Sequence, residues 1–250
     1  MVSFNNLYNN ANMVEVASKG PIKVFEHQRD LSVENGNSIN AYFASKMNVR
    51  KRQVLIELNG NSFCTQAGAM QWTAGNVSMG SGIKGVGDFI GKAFASAVTK
   101  ESTAKPEYTG HGLVMLEPTY KHILLEDIGE WGSIVLDDGL FLACDASLNK
   151  KVVSRTNFSS AALGKEGLFN LSLSGNGIAV LESPVAREEL VEINLQNDEV
   201  KIDGNMAIAW SASLQFTVEM SSKSILGSAV SGEGLVNVYR GTGRILVALT

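Results

Sequence analysis

The side chains best suited to chemistry in this chain are His27, His111 and His122, the cysteines Cys64 and Cys144, and a few adjacent acids. The histidines fall at no spacing used by metal ligands, and neither cysteine has a Cys or His within a few residues of it. Both thiols sit in apolar company, Phe63-Cys64 and Leu142-Ala143-Cys144, and read as small buried hydrophobes. Nucleophilic catalysis would need an activated Ser or Cys, and no Gly-x-Ser-x-Gly elbow is present. Ser172, inside Leu171-Ser172-Leu173, reads as an outward strand residue. Asp137-Asp138 and Glu188-Glu189 are neighbours in sequence, and in extended chain neighbours face opposite sides, so neither pair is placed to share a proton. Gly80-Ser81-Gly82-Ile83-Lys84-Gly85 fits the dinucleotide fingerprint, but its surroundings offer no strand-helix-strand crossover, so it reads as a turn leading into a helix. The residues therefore assign no catalytic group, no metal ligand and no cofactor. An enzyme built on a less familiar constellation stays as an alternative.

Binding readings rest on two stretches. Arg50-Lys51-Arg52 is the one short basic patch; it reads either as phosphate contacts or as a solvated edge, and the formal charge of −4 favours the edge. Between Gly80 and Pro106 lies a helical pattern with Asp88 as N-cap. Val86, Phe89, Ile90, Ala93, Phe94, Ala97 and Val98 recur at i, i+3, i+4 and i+7, so one face is apolar. That face either packs on the protein's own sheet or meets a partner subunit. Contact with a membrane surface through 88–98, flanked by Lys84, Lys92 and Lys100, is a weaker reading because the opposite side is mostly small residues.

The elements that would position these groups are strands. Val54-Leu55-Ile56-Glu57-Leu58 is an apolar run ended by the turn signal Asn59-Gly60. Phe169, Leu171 and Leu173 alternate with Asn170, Ser172 and Ser174, and Val191/Ile193/Leu195 and Leu214/Phe216/Val218 alternate likewise, as half-buried strands do. Ile22-Lys23-Val24-Phe25 is a candidate strand in an otherwise polar, Asn-rich start. A length of 250 residues with 44% hydrophobic and 18% charged side chains supports a large core. No basic or apolar leader opens the chain and no apolar run is long enough to span a bilayer, so the cytoplasm is the expected address.

The strands repeat. Gly110-His111-Gly112, Gly175-Asn176-Gly177 and Gly241-Thr242-Gly243, the pairs Asp138-Gly139 and Asp203-Gly204, and Ala146-Ser147-Leu148 with Ala212-Ser213-Leu214 recur in order at offsets of 65 or 66 residues. Leu58-Asn59-Gly60 and Ala67-Gly68-Ala69 supply a fainter first copy. The expectation is an all-β chain of three tandem units in a pseudo-threefold arrangement with one short helical insertion. An extension covers 1–40, unit one 41–107 with its insertion at 80–106, unit two 108–171, and unit three 172–250. The final strand, Ile245-Leu246-Val247, is expected to return beside unit one and close the ring.

Gln66-Ala67-Gly68-Ala69-Met70-Gln71-Trp72, Gly85-Val86-Gly87-Asp88-Phe89, Leu136-Asp137-Asp138-Gly139-Leu140-Phe141, Glu166-Gly167-Leu168-Phe169 and Gly232-Glu233-Gly234-Leu235 resemble the altered-inheritance-of-mitochondria protein 24 family, in order and spacing, from about Ala41 to Leu249. The resemblance implies three β-sandwich units of double-stranded β-helix type, similar to the tryptophan RNA-binding attenuator protein. It brings no catalytic residues. Mitochondrial members are associated with inner-membrane organisation, and the soluble bacterial-type members, which this chain resembles more, have no assigned activity. The fold analogy alone does not carry nucleic-acid binding. The functional expectation is a non-enzymatic β-rich scaffold or interaction protein that forms a homo-oligomer. The alternative is a module binding a small apolar or anionic ligand, a nucleic acid or a membrane surface.

Overall fold

A computed structural model describes residues 2–80, 105–154, 169–220 and 235–249. The chain is all-β. In order, the strands are β1 (Met13–Lys19), β2 (Ile22–His27), β3 (Arg52–Thr65), β4 (Met70–Gly80), β5 (Glu107–Leu116), β6 (His122–Asp127), β7 (Ser133–Leu136) and β8 (Phe141–Asp145). They continue with β9 (Asn149–Ser154), β10 (Phe169–Ser174), β11 (Ile178–Ser183), β12 (Leu190–Asp203), β13 (Ala207–Ser211), β14 (Gln215–Met220) and β15 (Leu235–Ala248). Two helices are described, α1 (Ser38–Lys46) and the single turn α2 (Ile128–Trp131). The helix expected within 80–106 falls almost wholly outside the described residues.

One sheet runs β1-β2-β3-β8-β11-β6, with β5 on β3 and β4 on β5. The other runs β12-β15-β13-β7-β10-β9, with β14 on β15. Every pairing within both is antiparallel. The apolar run of β3 is explained by burial on both faces, because successive side chains point to opposite sides. Val54, Ile56 and Leu58 join Phe63, Val114 and Leu116 in one cluster. Leu55 points the other way, into Leu7, Met13, Phe25 and Met115. A further cluster draws on both sheets: Cys64 and Leu181 come from the first, Ile134, Leu136, Leu173 and Leu246 from the second.

Several expectations change. The polar start is no loose extension: β1 and β2 form a hairpin added to β3, in register from Ile22 opposite Ile56 to Glu26 opposite Arg52. The boundaries drawn at 107/108 and 171/172 both fall inside strands, β5 and β10. The C-terminal strand pairs with β12, β13 and β14 rather than beside unit one. Its long register with β12, broken by a bulge between Leu195 and Asp198, already uses the edge that closure onto unit one would have needed.

Alternation also misleads in β10. Ser172 and Asn170 are buried, and the Asn170 amide donates to the Leu136 carbonyl at 2.8 Å, so the face read as wet is covered. Phe216 in β14 stacks on Trp210, with ring centroids 5.7 Å apart, and packs on Tyr239 at 5.2 Å. Replacing Phe216 with Asp should cost about 3 kcal/mol, from lost ring contacts plus a carboxylate placed among apolar groups. Equilibrium urea unfolding would check this, and an unchanged midpoint would contradict the packing.

Candidate functional site

The stretch that closes β2 and the stretch that opens β3 carry opposite charges, and antiparallel pairing lays one over the other. Glu26 of β2 stands opposite Arg52 of β3. Its carboxylate accepts from Arg52 Nη2 at 2.8 Å and from Arg50 Nη1 at 2.9 Å. Arg52 is only 4% exposed, and its Nη2 also donates to the Asn48 side-chain oxygen at 2.9 Å. Past the end of β2, Asp30 accepts from Lys51 Nζ at 2.8 Å and from Ser32 Oγ at 2.6 Å, and the Tyr120 hydroxyl donates to its other oxygen. Burial works against ionisation of Asp30, but the donors Lys51, Ser32 and Tyr120 outweigh it and hold the carboxyl well below the usual range. Tyr120 is pushed the other way, first by its hydrogen bond to Asp30 and then by burial.

Of these residues Asp30, Ser32, Arg50, Lys51 and Tyr120 line a groove of about 990 Å³. Helix α1 adds Ala41, Tyr42 and Ala44 together with Ser38, Asn40 and Ser45, and Val49 lies just beyond it. Leu31 in the lining and Ile39, Phe43 and Met47 outside it are each more than 60% exposed. The groove lining is thus mostly apolar, and of its cations Arg50 and Lys51 are held by carboxylates while Arg29 bonds to the Asn12 side-chain oxygen. That suits an amphipathic or apolar guest better than a polyanion.

Arg50 and Lys51, from the basic run singled out in the sequence, line this groove while Arg52 does not, and neither of the two readings of that run describes it. The three are not a solvated edge, since Arg52 is buried, and none presents an unpaired charge to phosphate. Of the other candidates His27 also lines the groove, and the rest are scattered. His27 Nε2 is 3.0 Å from Gln53 Oε1, and His111 Nδ1 is 3.2 Å from Asn59 Oδ1. In His122, burial and then the positive charge of Arg52 lower the pKa. Among the described residues no group of three or more His, Cys, Asp and Glu is placed to hold a metal. Cys64 and Cys144 are opposite each other in β3 and β8, buried and unbridged, and burial pushes the Cys144 thiol up to about 12. Asp137-Asp138 leads into the turn at Gly139, and Glu188-Glu189 lies in a 3-10 turn at Arg187–Glu189. Of the Gly80–Gly85 motif only Gly80 is described, as the last residue of β4.

The sequence reading missed Glu26, Asp30 and Tyr120. Asp30 and Tyr120 are 90 positions apart, so nothing local announces their hydrogen bond. Helix α1 did leave a signal, because Ile39, Tyr42, Phe43 and Met47 follow helical spacing.

On the second sheet, Arg240 of β15 bridges Glu219 of β14, at 2.6 and 3.0 Å, and Glu199 of β12, at 2.5 Å. Hydrogen bonds from Arg240 and then Thr217 bring the Glu219 pKa down to about 2. A depressed carboxylate pKa contributes stability that is present above the unfolded-state value and is lost as pH falls through the folded one. The melting difference between wild type and Glu219→Gln should therefore be constant above about pH 5 and shrink from there toward pH 2. A difference independent of pH would contradict this bridge.

Comparison with known proteins agrees with the fold. A Streptococcus pyogenes serotype M6 protein described as uncharacterized is 30% identical over 204 residues, spanning 77% of this chain and 80% of its own length. A crystal structure of a Streptococcus pyogenes protein superimposes with a TM-score of 0.58 at 28% identity, over 82% of this chain and 90% of that one. The family model described as Mitochondrial biogenesis AIM24 matches residues 45–248, nearly everything after α1. The chain therefore belongs to the AIM24 family.

Proposed function

We propose that this protein is a non-enzymatic, β-rich interaction scaffold that works by self-association. The observation that carries this reading is an open sheet edge. Of the 14 residues of β12 all but Gln196 and Asn197, at the bulge, pair with β15 on one side, and among the described residues no strand covers the other side. An edge of that length, with no proline in it, presents a row of backbone N–H and C=O groups that another strand can pair with. The proposed address is the cytoplasm. No described helix is long and apolar enough to cross a membrane. Sedimentation velocity over a hundredfold concentration range tests the reading: a reversible shift to larger species is expected, and a single monomer boundary throughout would end it.

A second reading is favoured by the groove beside α1. Its mostly apolar lining and 990 Å³ volume suit a small amphipathic ligand. Native mass spectrometry of the gently purified protein should then show an adduct that Ala44→Trp abolishes. An adduct unaffected by that substitution would place the ligand elsewhere.

A further inference from the structure

Two junctions inside this chain are built alike, and half of a third is displayed on each of two sheet edges. In the first, Phe63, Cys64 and Thr65 of β3 stand opposite Asp145, Cys144 and Ala143 of β8. In the second, Ile134, Val135 and Leu136 of β7 stand opposite Ser211, Trp210 and Ala209 of β13. The residues just before these segments, Ser62 and Ser133, pair with Thr109 and Ser174, each immediately ahead of a Gly-x-Gly. Glu199 of β12 does the same with Arg240, ahead of Gly241, so Val200, Lys201 and Ile202 hold the corresponding positions.

The receiving strands correspond equally well. β8 and β13 each meet their own last strand through a register shift and then continue through Ala-Ser-Leu to Asn149 or Gln215, which pair with Ser174 and Arg240. β4 has its register shift between Met70 and Trp72, and continues through Gly75-Asn76-Val77 to Ser78, which pairs with Thr109. Trp72, Thr73 and Ala74 thus correspond to Ala143, Cys144 and Asp145.

The burial differs in one telling way. All six donor residues of the two formed junctions are at most 5% exposed. In the third set Ile202 is already buried at 6%, but the Lys201 side chain is 47% exposed and Val200 is half-buried, and on β4 Thr73 is exposed while Trp72 and Ala74 are half-buried. Among the described residues these two edges do not meet and neither has a second partner strand: β4 pairs with β5 and β12 with β15, in different sheets. Their backbones are ready to pair. Thr65 N–H donates to Pro106 and Gln66 N–H to Leu142 of the neighbouring unit, so strand alternation turns Cys64 N–H toward β8 and, by correspondence, Lys201 N–H outward.

Resting on the self-association proposed above, we propose its register: the outer edge of β12 in one copy takes up the outer edge of β4 in a second copy. Val200, Lys201 and Ile202 then stand opposite Ala74, Thr73 and Trp72. The contact is head-to-tail, so every copy keeps one free edge of each kind until a ring closes. The partner is a second copy of this chain because both halves of the junction are carried by the same polypeptide.

The test uses Ala74→Cys and Val200→Cys as separate proteins. Mixed and mildly oxidised, they should give a disulfide-linked dimer on a non-reducing gel, at least tenfold more than either alone. The buried native thiols would not compete. In a separate variant, Lys201→Pro removes an outward N–H and should weaken association at least tenfold with an unchanged melting temperature. If sedimentation shows association but the mixture gives no more dimer than the single variants, or Lys201→Pro associates as well as wild type, this register is wrong and self-association stands. If sedimentation shows only monomer, both fall.

Discussion

Glu26→Ala is expected to cost about 3 kcal/mol or somewhat more, the lower end of what removing one partner of a buried ion pair costs. The reason lies in what the substitution leaves behind. Arg52 is 4% exposed and would keep its bonds to Asn48 and to the Arg50 carbonyl, but no carboxylate would balance its charge. Arg50 would lose the same partner, though it keeps a 2.9 Å bond to Gln28. For a chain of this size the melting temperature should fall by roughly 6–12 °C. Glu15→Ala is the comparison: its carboxylate reaches Lys23 only at 3.9 Å on an exposed strand, and its loss should stay under about 0.5 kcal/mol. Equal effects from the two substitutions would mean that the pairing beneath α1 contributes no more than a surface contact.

Gly110→Val should be as damaging, at about 4 kcal/mol or more. Gly110 has φ +121°, and a Cβ built on it would overlap the Asn76 carbonyl oxygen of the adjacent strand β4. Neither backbone can withdraw without breaking the β4·β5 register, which runs from Met70 to Gly80. Gly68 separates conformational cost from collision, because it has φ +80° but open space where a Cβ would go. Gly68→Ala should cost about 1 kcal/mol, the backbone term alone. Guanidinium unfolding of both variants would decide the point, and similar midpoints would show that the close approach at Gly110 is absent.

The sequence made the strand content legible because period-two alternation and glycine turns are local signals. Ile22-Lys23-Val24-Phe25 could be recognised as a strand on those grounds, and it is β2. What it pairs with is not local, so the hairpin's place against β3 was invisible. Glycine marks a bend without saying where in a folding unit the bend lies. Gly110 and Gly241 lie inside strands β5 and β15, whereas Gly175 lies in the turn between β10 and β11. Boundaries placed shortly before Gly110 and Gly175 therefore cut β5 and β10. Ser172 and Asn170 were misread for another reason: alternation reports a wet face only when nothing covers it, and here both are buried. At the groove the basic run was conspicuous, but its neutralising partners Glu26 and Asp30 come from the segment whose placement the sequence left open.

Amide hydrogen exchange at several protein concentrations tests most directly whether the open edges of β4 and β12 meet between copies. Protection of the peptides covering Thr73 and Lys201 should rise together as concentration increases, while the Cys64 and Cys144 peptides stay protected at every concentration. Exchange at Thr73 and Lys201 that remains fast and equal at all concentrations, in a sample where larger species form, would contradict it.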